Sequence, residues 1–181
     1  GKLDVAAADI AGGRVIVLLG NGDGTLSQFQ AMAMGPGRAL ATADFNGDNK
    51  ADLLLACGPP DCEWVCSSCM PQTNRFLCVL LGNGDGTFQP PQFLLTPAAS
   101  GCFYDVAAAD VNGDGWPDAL LLDFYRWRDA TIYQEKRILV FFNNGDGTFA
   151  TGTPSVVLTP AGEGPRSFTL AYIDERFSGT N

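Results

Sequence analysis

The feature that most constrains the fold of this chain is an internal repeat. A six-residue motif, Gly-Asn-Gly-Asp-Gly-Thr, begins at Gly20 and again at Gly82, and a near copy begins at Asn143. The copies lie 62 and 61 residues apart, and each follows an apolar run and precedes a leucine or a phenylalanine. Asn-Gly or Asp-Gly between two apolar runs is a strong hairpin signal. The repeat therefore predicts one β-hairpin in every unit.

A second motif, an acidic loop, recurs in step with the first. Its copies run from Asp44 to Asp52 and from Asp110 to Asp118, 66 residues apart. Each loop lies between a strand-like segment of small residues and a strongly apolar one. One unit is thus strand, acidic loop, strand, variable loop, strand, hairpin turn, strand. Four short strands in about 62 residues is the size and content of one β-propeller blade.

The phase of the repeats divides the chain into about three units. We expect a partial repeat over 1–34, complete repeats over 35–97 and 98–160, and a partial repeat over 161–181. Residues 1–7 match the end of an acidic loop and the strand after it, whereas residues 164–171 match the first strand of a unit. Half a unit, two whole units and a final half add up to three. A propeller typically needs four to eight blades, so we expect further blades from other copies or from a longer chain.

The two motifs together give the chain a family resemblance. The loops Asp44–Asp52 and Asp110–Asp118 and the closing Gly-Asn-Gly-Asp-Gly-Thr motif look like FG-GAP/VCBS-type repeats, the blades of integrin α-subunit-like β-propellers. The resemblance extends over nearly the whole chain. It implies an all-β fold of β-propeller-type repeats, each a four-stranded antiparallel blade with a calcium-binding loop. It also implies extracellular adhesion or ligand binding.

The acidic loops carry the residue types that bind calcium. Carboxylates stand at loop positions 1, 5 and 9, an Asn at position 3, and a backbone carbonyl at position 7 faces the same centre. Hard oxygen ligands of this kind suit Ca²⁺. We therefore predict two calcium sites, with the ligands Asp44, Asn46, Asp48, the Lys50 carbonyl and Asp52 in one, and Asp110, Asn112, Asp114, the Trp116 carbonyl and Asp118 in the other. The alternative is an ordinary Asx-turn with solvated acids.

The aspartates of the hairpin motif, Asp23, Asp85 and Asp146, have two interpretations. They could bind calcium, as in tandem nonapeptide repeats whose neighbouring turns share ions, or they could belong to plain hairpin turns. Copies about 62 residues apart cannot share ions in that way. We therefore assign these aspartates to turns.

The cysteines indicate an oxidising environment. Five of the six fall inside 22 residues, from Cys57 to Cys78. The spacing of Cys66 and Cys69, with Cys62 nearby, is also compatible with a zinc or iron–sulfur site. We favour disulfides because they accompany extracellular calcium loops and staple segments that have no core. Six cysteines allow fifteen pairings, so the connectivity of Cys57, Cys62, Cys66, Cys69, Cys78 and Cys102 stays open.

The Cys-rich loop 57–78 and an aromatic, charged loop 123–137 are inserted at the same point of successive units. We expect both to project from one face, and variable loops on a rigid repeat scaffold are frequent binding sites. Four side chains of the second loop are of types favoured in interface hot spots, and we predict that they bind a ligand: Tyr125, Trp127, Arg128 and Tyr133. The alternative is that they pack on a neighbouring unit.

Composition narrows the range of functions. The chain has no histidine, which excludes Ser-His and Cys-His catalysis, and no acidic pair has a distinguishing context, so we predict that it is not an enzyme. A formal net charge of -9 and scattered Lys and Arg argue against nucleic acid as a partner. No stretch approaches the 18 or more apolar residues of a membrane span.

These observations lead to one preferred function and two alternatives. We predict an extracellular module, secreted or surface-displayed, that is stabilised by calcium and has a structural or adhesive role. It would self-associate head to tail through its incomplete terminal blades, as a closed ring or a filament. The alternatives are a carbohydrate-binding, lectin-type propeller with Trp64, Trp116 or Trp127 as stacking platforms, and a fragment of a larger adhesion protein. The expected partners are other copies of the chain or further repeats, and glycans or a protein ligand.

Overall fold

The chain folds entirely into β-structure wherever it is described. The computed structural model describes residues 2–9, 11–35, 37–57, 76–95, 100–126, 134–150 and 155–158. These residues contain no helix, and therefore none long and apolar enough to cross a bilayer. Their strands are β1 (Val5–Asp9), β2 (Arg14–Gly20), β3 (Leu26–Ala33), β4 (Gly37–Ala43), β5 (Asp52–Cys57), β6 (Phe76–Leu80), β7 (Gln92–Leu95), β8 (Ser100–Ala109), β9 (Asp118–Arg126), β10 (Gln134–Phe141) and β11 (Ser155–Leu158).

The strands form three antiparallel sheets whose order follows the chain. Sheet 1 is β1-β2-β3, sheet 2 is β4-β5-β6-β7, and sheet 3 is β8-β9-β10-β11. Neighbouring strands in every sheet are consecutive in sequence, so each sheet is a simple meander. The predicted all-β unit of strand, acidic loop, strand, variable segment, strand, turn and strand is confirmed in sheets 2 and 3. The arrangement of these sheets as blades of a closed propeller stays a prediction.

The core lies between successive sheets, and sheet 2 is the middle layer. One cluster joins sheets 2 and 3 and includes Phe45, Leu54 and Leu121. A second cluster joins sheets 1 and 2 and includes Val15 and Leu55. All six residues of β5 are buried because alternate side chains face the two neighbouring sheets. Burial on both faces explains why this strand is a continuous apolar run rather than an alternating pattern.

The first strands of the units lie side by side. Strand β4 of sheet 2 contacts β8 of sheet 3. The second strand of a unit also contacts the first strand of the next sheet: β1 contacts β4, and β5 contacts β8. In sheets 2 and 3 the second strand also pairs with a first strand, β5 with β4 and β9 with β8. Strand β1 corresponds to β5 and β9, but among the described residues it pairs only with β2. One edge of β1 is therefore open within the described part of the chain.

Candidate functional site

The acidic loops and the hairpin turns of the units meet at one end of the sheets. Loop 1 (residues 44–52) joins β4 to β5, and loop 2 (residues 110–118) joins β8 to β9. The hairpin turns of the three sheets, here turn 1 (20–25), turn 2 (82–87) and turn 3 (143–148), join the third strand to the fourth or its equivalent. In an antiparallel meander these two connections lie at the same end. The variable segments after β5 and β9 leave from the opposite end.

In loop 1 the first carboxylate organises the backbone. Asp44 accepts hydrogen bonds from the amides of Gly47 at 2.8 Å, Asp48 at 3.1 Å and Asn49 at 2.7 Å. Asn46 in turn accepts a hydrogen bond from the Asp48 amide at 3.1 Å. Gly47 has φ 73° and Asn49 has φ 62°. Positive φ favours glycine, and asparagine is one of the few other residues that adopt it readily.

Loop 2 reproduces this arrangement position by position. Asp110 accepts hydrogen bonds from the amides of Gly113 at 2.7 Å, Asp114 at 3.1 Å and Gly115 at 2.8 Å. The pKa of Asp110 is lowered from its ordinary value, chiefly by the hydrogen bond from Gly115. Gly113 and Gly115 have positive φ of 79° and 92°, and φ is also positive at their counterparts in loop 1, Gly47 and Asn49. Two loops 66 residues apart therefore share one backbone conformation.

The carboxylates at loop position 9 have a different environment. Asp52 is fully buried and accepts hydrogen bonds from the amides of Phe45 at 2.8 Å and Gly82 at 2.7 Å. Asp118 is equally buried and accepts from Val111 at 3.1 Å and Asn143 at 2.9 Å. Burial raises the pKa of both groups above the ordinary aspartate value. Each of these aspartates thus connects its acidic loop to the hairpin turn of the same sheet.

The same connection is present in sheet 1. Asp4 accepts a hydrogen bond from the Gly20 amide at 2.8 Å, as Asp52 does from Gly82 and Asp118 from Asn143. The link between the ninth loop position and the first turn position therefore occurs in all three sheets. Sequence reasoning recognised both motifs but missed this contact between them. The available signal was the fixed order of the two motifs in every unit, because their separation along the chain varies from 16 to 30 residues.

The hairpin turns are closed by their own side chains. In turn 2 the Asn83 amide donates to the Thr87 carbonyl at 2.9 Å, and the Asn83 side chain donates to the Thr87 hydroxyl at 2.8 Å. The Asp85 carboxylate accepts from the Thr87 amide at 2.9 Å and from its hydroxyl. Turns 1 and 3 contain the same bonds. The predicted hairpins are confirmed, and their aspartates hold the turns.

The residue at loop position 7 covers a turn glycine. The stem of Lys50 lies over Gly84, where an added Cβ would be 3.0 Å from Lys50 Cδ. The indole of Trp116 lies against Gly145 and also against Gly47 of loop 1, where an added Cβ would approach it to 2.7 Å in both cases. Trp116 is 37% exposed. This aromatic side chain therefore connects loop 2, turn 3 and loop 1.

Asn143 is the functional residue that sequence reasoning missed most clearly. Its side-chain amide donates to the carbonyl of Phe45 in loop 1 at 2.8 Å and to the carbonyl of Pro117 in loop 2 at 3.0 Å. The side chain is 4% exposed. The other turns have Gly20 and Gly82 at this position. The only sign of this role in the sequence was that the third copy of the hairpin motif begins with asparagine instead of glycine.

The predicted calcium ligands fit the ion in chemistry more than in arrangement. Asp44, Asn46 and Asp48 and their counterparts in loop 2 are oxygen donors of the type that calcium prefers. However, their oxygens accept hydrogen bonds from loop amides, and both oxygens of Asp52 do so as well. Within the described ranges no three acidic or cysteine side chains form a group that could hold a metal ion. Calcium binding at these loops stays a prediction, and it requires the donors to turn toward a common centre.

The predicted disulfide and ligand-binding residues are described only in part. Cys57 and Cys78 are buried and are thiols in the structure. Their membership of a disulfide stays a prediction. They occupy diagonal positions on β5 and β6 and not directly opposed ones. Cys62, Cys66 and Cys69 lie outside the described residues, as do Trp127, Arg128 and Tyr133. Cys102 and Tyr125 lie on β8 and β9, but their side chains are outside the described part.

Comparison with known proteins identifies a repeat family. A family model for the FG-GAP-like repeat matches residues 1–55 and 65–121. The two matched segments cover more than half of the chain and include both acidic loops. No curated protein matches the sequence.

Proposed function

Because the chain belongs to the FG-GAP-like repeat family, we propose that it is an extracellular, calcium-stabilised β-repeat module with a structural or adhesive role. The observation that carries the proposal is the repeated loop–turn unit, in which a matching backbone conformation presents Asp, Asn and Asp donors at equal spacing in two loops. Repeats of this family are generally structural or adhesive modules rather than enzymes, and they are typical of extracellular proteins.

Calcium would act on the stability of the module. The acids of loop 1, Asp44 and Asp48, lie close together around one short loop, so a bound cation would relieve their mutual repulsion. The ligands we propose are those predicted from the sequence. Calcium would supply positive charge between the carboxylates, whereas the chain's own amides already fix the loop backbone.

Titration calorimetry and thermal unfolding test the calcium proposal. We expect calcium to raise the melting temperature of the chelator-treated chain, because a ligand at about 100 times its Kd stabilises the folded state by about 2.7 kcal/mol per site. The variant Asp44→Asn with Asp110→Asn should lose this shift. Asp85→Asn with Asp146→Asn is the matched control, since it also removes two charges, from turns outside the ligand sets. Equal melting temperatures with calcium and with chelator would refute calcium binding.

We further propose that copies of the chain associate head to tail. Strand β1 has an open edge within the described residues, and its counterparts β5 and β9 are each paired with a first strand. The segment 164–171 resembles a first strand in sequence and lies outside the described residues. Addition of this segment from a second copy along β1 would complete sheet 1 with backbone hydrogen bonds. Repetition of the contact gives a closed ring or a filament.

Light scattering after size-exclusion chromatography tests the assembly. We expect the full chain to form an oligomer or a filament, and a variant without residues 164–181 to be smaller. A stable monomer whose mass and melting temperature do not change on this deletion would contradict self-association. It would instead support the alternative that neighbouring repeats of a longer chain cover β1.

A further inference from the structure

Two cysteines are neighbours inside the core between sheets 1 and 2. Cys57 is the last residue of β5, and Cys78 lies in the middle of β6. The register pairs Cys57 with Phe76 and Leu55 with Cys78. Because side chains two residues apart on a strand share a face, both thiols lie on the same face at diagonal positions. They are 3% and 0% exposed and belong to the cluster that contains Val15 and Leu80.

The two thiols interact inside this core. The hydrogen bond between Cys78 and Cys57 raises the pKa of the Cys78 thiol above its ordinary value, and burial raises it further. Little of the Cys78 thiolate is therefore present at neutral pH. Since the thiolate is the reactive form, the folded and reduced pair should react slowly with an external disulfide.

From this placement we propose that Cys57 and Cys78 form a disulfide with each other when the chain folds in an oxidising medium. The inference rests on the extracellular location proposed above, and it reduces the fifteen possible connectivities of the six cysteines to three. The proposed bond joins two residues on either side of the segment 58–75, which lies outside the described residues. The remaining four cysteines would then pair among themselves.

The chemistry needs a disulfide oxidant, for which glutathione disulfide serves. The thiolate of Cys57 attacks one sulfur of glutathione disulfide, and one glutathione thiolate leaves. The thiolate of Cys78 then attacks the Cys57 sulfur of this mixed disulfide and releases the second glutathione. Two electrons pass from the protein to the oxidant, and the two thiol protons end on the two glutathione molecules. Because these thiols react slowly once buried, the exchange belongs to folding rather than to the folded state.

The backbone geometry allows the bond after a small movement. Diagonal positions in an antiparallel pair have Cα atoms about 7–8 Å apart, whereas a disulfide requires about 4.4–6.8 Å. Cys57 ends its strand, so it can move by about an ångström without breaking the hydrogen bonds of residues 53–56. The bond would close a loop from Cys57 to Cys78 and restrict the unfolded chain.

Peptide mapping of the full chain under non-reducing conditions tests the pairing directly. The chain is refolded with reduced and oxidised glutathione, and free thiols are alkylated in denaturant. It is then digested with trypsin and a protease that cleaves before aspartate. These cuts separate the cysteines into the peptides 52–60, 61–75, 76–84 and 85–104, of which the first and third contain only Cys57 and only Cys78.

The expected result is a linked pair of peptides 52–60 and 76–84 that disappears on reduction. Peptide 52–60 or 76–84 linked instead to 61–75 or 85–104 overturns the pairing and leaves the oxidised, extracellular module intact. Alkylation at all six cysteines overturns both the pairing and the oxidised state on which the proposed function relies. The two kinds of failure are therefore distinguishable.

Variants provide a second measurement. We expect Cys57→Ala, Cys78→Ala and the double variant to melt at similar temperatures, about 5–10 °C below the oxidised wild type, because each removes the same bond. A reductant should lower the melting temperature of the wild type more than that of the double variant, in which only the other cysteines respond. Equal effects of the reductant on both proteins would contradict the pairing.

Discussion

At the scale of single residues, Asn143 links three segments that are far apart in the sequence. Its side chain joins turn 3 to the Phe45 carbonyl, 98 positions away, and to the Pro117 carbonyl. Its backbone amide donates to Asp118. A buried carbonyl without a donor is costly, so this side chain stabilises both acidic loops at once.

Replacement of Asn143 by alanine should therefore destabilise the fold. Asn143→Ala removes three hydrogen bonds of a buried side chain, two that it donates and one that it accepts from the Gly145 amide, and should lower the free energy of unfolding by about 1–3 kcal/mol. The matched control is Asn144→Ala, which removes one exposed hydrogen bond to Thr148. Chemical denaturation of both variants gives the comparison. An equal or smaller loss for Asn143→Ala than for Asn144→Ala would show that the bridge contributes nothing.

The contact of Trp116 with loop 1 can be isolated by a pair of glycines. Gly47 and Gly113 occupy the same loop position with φ of 73° and 79°, but only Gly47 lies against the indole. Alanine at either position has an unfavourable left-handed conformation, which costs about 1–2 kcal/mol. Gly47→Ala must also displace Trp116, so it should cost about 1 kcal/mol or more beyond Gly113→Ala.

A double-mutant cycle completes this test. In the background of Trp116→Ala, the extra cost of Gly47→Ala should disappear because the colliding ring is gone. The free energies of unfolding of the four proteins give the coupling. If the extra cost persists without the indole, the contact is not its cause.

At the scale of elements, the stability of the hairpin turns should depend on pH. The pKa values of Asp23, Asp85 and Asp146 are lowered, chiefly by the hydroxyl of the threonine two residues on and then by its amide. A carboxyl whose folded pKa is depressed contributes stability above its unfolded pKa, here 3.8, and loses it as pH falls through the folded value. The turns should therefore weaken below about pH 4.

Neutral turn residues should flatten this dependence. We expect the triple variant Asp23→Asn, Asp85→Asn and Asp146→Asn to lose less thermal stability than the wild type between pH 6 and pH 3, because asparagine still accepts a hydrogen bond but does not titrate. The melts are recorded in a chelator so that cation binding does not contribute. Parallel pH profiles for the two proteins would exclude the turn carboxylates as the cause.

The elements themselves could be predicted from local sequence patterns. The Asn-Gly and Asp-Gly turns, the two acidic loops and the four strands of a unit each depend on neighbouring residues, and the described strands agree with them. The link from Asp52 to Gly82 and the position of Trp116 on Gly47 could not be predicted in this way. The first contact depends on the pairing of β5 with β6 across a long variable segment, and the second on the stacking of sheet 3 against sheet 2. A local sequence pattern specifies neither.

At the scale of the whole molecule, the sheets stack in chain order and burial is unequal. Strand β5 is buried on both faces, whereas Val5 at the start of β1 is 42% exposed. Opening of a doubly covered strand exposes more apolar surface, so its amides should exchange more slowly. In the dissociated chain we expect hydrogen exchange to be slowest in β5 and β6 and fastest among the strands in β1. Exchange in β1 as slow as in β5 would contradict this order.

Hydrogen exchange at the open edge of β1 also tests the proposed assembly. In an antiparallel pair, alternate amides of an edge strand point away from the partner, so half of the β1 amides lack a strand partner within the described residues. If residues 164–171 of a second copy add to this edge, these amides should become protected as the protein concentration rises. The variant without residues 164–181 should show no such protection, while the amides of β2 serve as the internal control in both proteins. If the β1 amides are protected to the same degree at every protein concentration, the segment 164–171 pairs with β1 of its own chain. If the β1 amides stay unprotected in the oligomer, the copies are in contact elsewhere.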